Sequence, residues 1–337
     1  MHRARQQVLP PVPVTRDNIQ LDGEWSETTT GTNFLLHHDD KMTIYATDDN
    51  LRHLALASTV FMDGTFKCVP RIYKQLFTIH GLYRGHVVPL VYAFLPDKKA
   101  TTYFDVISIV QRRLTALDLR MDRLERIVSD FEKGQIQAVA GQFPGVQHSG
   151  CLFHFAQAVW KRVQKYGLQQ AYRQDPDMKA WIRQLLALPF LPVNQIGAAF
   201  NQLANDQVAP PRLVNYFRRT WLDGDFPPTM WSVHQLQIRT NNHVEGWHGR
   251  LNRNVGRHHP NFHTLVSFLK DEQTETELIL RRARLGAAPA PPRRKYREMN
   301  AAVDRLTAEF DLGRRTAMEF LSDLSEVVQQ LRRRRRR

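Results

Sequence analysis

Hydrophobic and polar positions divide the chain into stretches of different period. Residues 1–40 hold no sustained period and are broken by Pro10, Pro11, Pro13, Gly23 and Gly31, which predicts an irregular lead-in with room for one short strand. From residue 41 the texture changes. MTIYAT reads as a strand, and DDNLRHLALA as a helix opened by Asp49 or Asn50 with leucines at helical steps. Three apolar, β-rich runs follow, STVFMDGTF, YKQLFTIHGLY and HVVPLVYAFLP, and their short connections imply antiparallel pairing. TTYFDVISIVQRRLTAL is an amphipathic helix, with Phe104, Ile107, Val110 and Leu114 at three- and four-residue steps. LERIVSDFE predicts a strand ending in acid, residues 133–140 a helix, and VQHSGCLFH another strand.

The succession strand, strand, strand, helix, strand, helix, strand is that of a ribonuclease-H-like fold, in which the first and fourth strands are neighbours. Beyond it the signals are helical. FAQAVWKRVQKYGL, MKAWIRQLLAL, QIGAAFNQLAN and PRLVNYFRRTWL, separated by Pro, Gly and Asp, predict an all-helical insertion. TNNHVEGWHGRLNR and FHTLVSFLKDEQTETELILRRARL are helices, and after the linker GAAPAPPRR one last helix is expected over about 298–331. Its apolar face would be Val303, Leu306, Phe310, Leu321, Leu324 and Val328. The expected class is α/β: a mixed sheet flanked by helices, with a helical insertion and a helical C-terminal extension. The expected division is a lead-in (1–40), core (41–154), helical insertion (155–235), last core helices (236–285), linker and amphipathic helix (286–331) and arginine tail (332–337).

Charge adds a partner class. The formal net charge is +14, and about +8 remains without the six arginines Arg332 to Arg337, so a polyanionic partner is expected. The tail fits a nuclear import signal, a phosphate-binding segment or a solvated end. Cys68 and Cys151 are the only cysteines, too few for a disulfide scaffold, and a reducing intracellular compartment follows. The N-terminus lacks an apolar secretory core, and no run reaches the roughly 18 apolar residues of a membrane span. A soluble intracellular protein without a membrane partner is expected.

Three acids sit at predicted element ends: Asp63 on the first core strand, Asp130 at the end of the fourth, and Glu245 on the helix after the insertion. Each has an ordinary reading. Asp63-Gly64 between apolar runs fits a hairpin turn, while Ser129-x-x-Glu132 and Asn242-x-x-Glu245 fit capping boxes. Their conjunction fits phosphodiester chemistry, because Mg²⁺ is held by a few carboxylates and two such ions can stabilise the entering and leaving oxygens.

The blocks FMDGTFKCVP, IVSDFEKG, CLFHFAQAVWKRV, RTNNHVEGWHGRLNR and HHPNFHTLVSFLKDEQ resemble successive parts of the Mutator-like (MULE) transposase domain, over residues 42–275. That resemblance implies a DDE-type catalytic triad of Asp63, Asp130 and Glu245 holding two Mg²⁺ (or Mn²⁺). It also implies DNA as partner, at transposon ends and target, with action in the nucleus as a homo-oligomer. Cys151 and His154 match the family's C-x-x-H element, with His154 implied to orient DNA or the scissile phosphate. Read bare, the pair is half a zinc site or a buried thiol beside a hydrogen-bonded imidazole.

His248 follows Glu245 by one helical turn and could approach metal or phosphate, or simply pack or face solvent. Trp247 is expected in the core, and Asn241 and Asn242 as caps. Arg239, Arg250, Arg253 and Arg257 bracket the Glu245 helix and fit either a phosphate-tracking face or a solvated one. Many MULE relatives carry a zinc-binding recognition module before the catalytic domain, and nothing similar precedes Cys68. The expected function is therefore transposase cleavage and strand transfer. A domesticated DNA-binding or regulatory protein is the alternative, followed by a nuclease for RNA or hybrids.

Overall fold

The structure, a computed structural model, describes residues 9–256, 258–291 and 293–332. Arg257, the side chains of the arginine tail and that of Val328 lie outside the described residues. A 3-10 turn at Gly23–Trp25 leads to β1 (Leu35–His38), β2 (Thr43–Tyr45) and α1 (Asp48–Ala55). Then come β3 (Thr59–Thr65), β4 (Gln75–Tyr83), β5 (His86–Leu95), α2 (Ala100–Ala116), β6 (Arg126–Ser129), α3 (Lys133–Gln142) and β7 (Gln147–Gly150). A helical run follows: α4 (Leu152–Lys165), α5 (Gln169–Gln174), α6 (Pro176–Ala187), α7 (Val193–Ala204), α8 (Pro211–Phe217) and α9 (Pro228–Trp231). After it come α10 (Asn242–Val255), α11 (Phe262–Arg284), α12 (Arg294–Asp311) and α13 (Ala317–Arg332). Among the described residues no helix is long and apolar enough to cross a membrane.

The seven strands lie in the order β1-β2-β5-β4-β3-β6-β7. β1 through β5 pair antiparallel, and β3 pairs with β6 in parallel, giving the mixed α/β sheet and the strand adjacency of a ribonuclease-H-like core. The period of two along the strands explains the layering. Tyr45, Leu76, Tyr92 and Phe94 point into a core shared with Leu251, Phe262, Leu265 and Leu269 of α10 and α11. Their neighbours Ile44, Phe77, Val91 and Ala93 point the other way, to Leu54 of α1 and Val106 and Val110 of α2. Each buried Leu, Ile, Val or Phe among these contributes about 1.5–3 kcal/mol relative to exposure.

The chain divides into two units. Met1–His148 and Asn241–Pro289 form the sheet unit, and Ser149–Thr240 with Ala290–Arg337 form a helical one. The helical unit has an aromatic centre, in which Phe155 stacks on Trp231 with ring centroids 5.1 Å apart and Phe200 on Phe217 at 5.0 Å.

The lead-in is irregular apart from a 3-10 turn and β1, and it is anchored: Trp25 and Phe34 are buried in the core beneath α11, and Lys270 Nζ donates to the Glu24 carbonyl at 2.6 Å. Several local expectations are corrected. Thr47, not Asp49 or Asn50, caps α1, its hydroxyl accepting from the Asn50 amide at 3.1 Å. Phe104 is exposed, because the buried stripe of α2 runs through Tyr103, Val106, Ile107, Val110 and Leu114. The single last helix is two, α12 and α13. Gly313 takes a left-handed φ of 70° between them, and Thr316 and Glu319 form a reciprocal capping box that starts α13.

Candidate active site

The parallel register of β3 and β6 pairs Thr59 with Arg126 and ends at Met62 with Ser129. The next residues are Asp63, still inside β3, and Asp130, the first residue after β6, so the two acids follow the last paired positions of adjacent parallel strands. Asp63-Gly64 is no hairpin turn: both residues lie inside β3, paired with Thr78 and Phe77 of β4. Ser129 does not cap α3 either. Its hydroxyl meets His148 Nε2 at 2.7 Å, while Glu132 accepts from Tyr103 Oη at 2.6 Å and Lys98 Nζ at 2.7 Å.

Asp63 is nearly enclosed, with 5% of its surface exposed. Its Oδ1 accepts from the Gly64 amide at 2.8 Å. Its Oδ2 faces α10, 3.3 Å from Asn241 Nδ2 and 3.4 Å from His248 Nδ1. Asn241 holds the N-cap position of α10 but makes no side-chain cap, because its amide is turned to Asp63 instead. Asn241, Glu245 and His248 are separated by four and three residues, one stripe of a helix. Since both flanking residues touch Asp63, Glu245 lies on the stripe that faces β3.

The far side of His248 is also fixed. The Thr78 hydroxyl donates to the Asp63 carbonyl at 3.2 Å, and His248 Nε2 and His80 Nε2 reach the same hydroxyl at 3.2 and 3.0 Å. One hydroxyl thus links both rings to the backbone of Asp63. Burial, and after it the nearby His248 and His243, holds His80 well below the usual histidine range, so it is neutral. Thr78 and His80 were not singled out from sequence. Their only signal is spacing by two on a strand, which puts both on one face.

Among the described residues no three His, Cys, Asp or Glu side chains are gathered into a metal cage. The donor type nevertheless suits Mg²⁺, which takes hard carboxylate oxygens, binds through one or two of them and keeps several waters. Oδ2 of Asp63 has its neighbours at distances longer than the usual 2.9–3.0 Å of a good hydrogen bond, so that oxygen is loosely engaged.

The other predicted site residues have different surroundings. Arg250 is bound to Glu272, its Nε at 3.1 Å from Oε1 and its Nη2 on Oε2, which also accepts from Trp247 Nε1 at 2.7 Å. That pairing holds the Arg250 guanidinium above its ordinary range. Arg253 is exposed. Arg239, Cys151 and His154 belong to the helical unit. There Arg239 is paired with Asp304 at 2.6 Å, Cys151 is fully buried at the cap of α4, and His154 is half-buried against the Phe153 ring.

Residues 59–158 match the family model of the MULE transposase domain, the family that the sequence blocks resemble. The matched stretch begins with β3, includes Asp63, Asp130, Cys151 and His154, and stops before Glu245. No curated protein matches the chain.

Proposed function

We propose that this chain acts as the catalytic part of a DNA transposase, cutting phosphodiesters at transposon ends and joining the freed 3′ ends to target DNA. The observation that carries the reading is the β3–β6 register, whose last pair, Met62 with Ser129, immediately precedes Asp63 and Asp130. The facing stripe of α10 adds Glu245. The MULE match over 59–158 supports a transposase-related chemistry.

Asp63 and Asp130 would hold Mg²⁺ or Mn²⁺, with Glu245 completing a second site. Bound there, two such ions supply charge neutralisation at the scissile phosphate and an activated water at neutral pH. The chain's own residues orient the acids. The Gly64 amide fixes one oxygen of Asp63, and Asn241 and His248 limit the movement of the other. Thr78 ties His248 to the strand that carries Asp63. The attacking group is water for cutting and a DNA 3′-hydroxyl for joining, with no covalent protein intermediate. Work in the nucleus, as a homo-oligomer that pairs two DNA ends, belongs to the same reading.

The test is Asp63→Asn. Nicking of duplex DNA in Mg²⁺ or Mn²⁺ is expected to vanish while DNA affinity is kept or raised. If the unaltered chain binds DNA in a salt-sensitive way yet never cuts it under any metal, the non-catalytic DNA-binding alternative replaces this reading. Preference for an RNA–DNA hybrid over duplex DNA would instead make it a nuclease of another class.

A further inference from the structure

The helical unit has its own cationic surface, distant in sequence from the three acids. Between Glu132 and Asp175 the chain contains no Asp or Glu, and none occurs between Asp206 and Asp223. These two acid-free stretches contain α4 and α8, which pack on each other through a reciprocal exchange. Arg162 of α4 lies over the ring of Tyr216 on α8, 4.6 Å from its centroid, and Arg212 of α8 lies over Tyr166 at the end of α4, at 4.9 Å. Tyr216 is itself held, since Trp221 Nε1 donates to its hydroxyl at 3.2 Å.

Neither Arg162 nor Arg212 forms an ion pair among the described residues. The contrast within the unit is informative. Arg183 is bound to Glu326, Arg239 to Asp304 and Arg315 to Glu309, so carboxylates are available and are used elsewhere. A guanidinium stacked on an aromatic ring is fixed in orientation and still directs its N–H edges outward, the geometry that recognises phosphate oxygens in a bidentate way. Lys161 and Lys165, one turn apart on α4, are exposed beside Arg162 and add mobile charge.

We infer that the α4–α8 face is a docking surface for the phosphate backbone of duplex DNA, read without regard to base sequence. Contacts to phosphate fix position on the duplex and carry no sequence information. The partner class follows from the proposed function, yet the surface uses none of the three acids.

The test measures binding of the full-length chain to a duplex of random sequence by fluorescence anisotropy, in chelator, as a function of salt. No cutting occurs there, so loss of catalysis cannot mimic loss of binding. Removing two phosphate contacts is expected to lower the slope of log K against log salt by about two. Both Lys161→Gln with Lys165→Gln and Arg162→Gln with Arg212→Gln should do so. The lysine pair has no stacking role and keeps the fold, so an unchanged slope in that variant overturns the proposal even if the arginine pair unfolds. Tighter binding to duplex RNA than to duplex DNA, with the same loss in the variants, also overturns it.

Discussion

His248 Nδ1 stands 3.4 Å from Asp63 Oδ2, and the opposite nitrogen of the same ring is held by Thr78, the residue paired with Asp63 across β3 and β4. One imidazole therefore fastens α10 to the strand that bears the first acid. His248→Ala is expected to lower stability by about 1–3 kcal/mol, through unmet hydrogen bonds at buried groups. Nicking should fall at the same time. Denaturant midpoints check the first effect, and an unchanged midpoint would remove the ring from this bridging role.

Arg250 is expected to matter for stability and not for binding. Its guanidinium is engaged with Glu272, so Arg250→Ala should cost about 1–3 kcal/mol of stability by leaving a buried carboxylate with Trp247 as its remaining partner. The salt slope of DNA binding should not move. A slope reduced by about one would return Arg250 to the phosphate-contacting set expected from sequence.

Acid sensitivity follows from two enclosed imidazoles. Burial lowers His148 from the ordinary 6.5 to about 4, and burial with two neighbouring histidines lowers His80 well below its usual value. Both groups bind fewer protons in the folded chain than in the unfolded one below about pH 6.5, His148 down to about pH 4. Their contribution is complete above 6.5 and is lost as pH falls through that window. Urea midpoints should decline from neutral pH to about pH 5, and His148→Asn should flatten the decline. A midpoint indifferent to pH over this range would contradict the assignment.

Much of the sheet was legible because its strands alternate cleanly or run apolar with turn residues between them, as in YKQLFTIHGLY and HVVPLVYAFLP. The adjacency of β3 and β6 was legible only through the fold order, since no local pattern links the two strands. Local chemistry misled where a tertiary partner outbid it. Asn241 could cap α10, but its amide turns to a buried carboxylate; Glu132 could close a capping box, but Tyr103 and Lys98 take both of its oxygens. The anchoring of the lead-in was not legible because Trp25 and Phe34 are isolated anchors, and isolated anchors have no period. Gly313 carried the break in the last helix, a residue whose left-handed φ was needed between α12 and α13.

The path of the backbone between the units has a bearing on how kin of this chain would be found. It leaves the sheet unit after His148 and re-enters at Asn241, so the helices α4 to α9 are spliced into one connection. The interval from Asp130 to Glu245 thus records the size of a cargo, and could lengthen or shrink through evolution without moving either acid. The β3–β6 alignment has no such slack, because a slip by a single residue would send Asp63 to the opposite side of the sheet. A search pattern with an elastic second gap and a rigid strand register would recover relatives that fixed spacing overlooks.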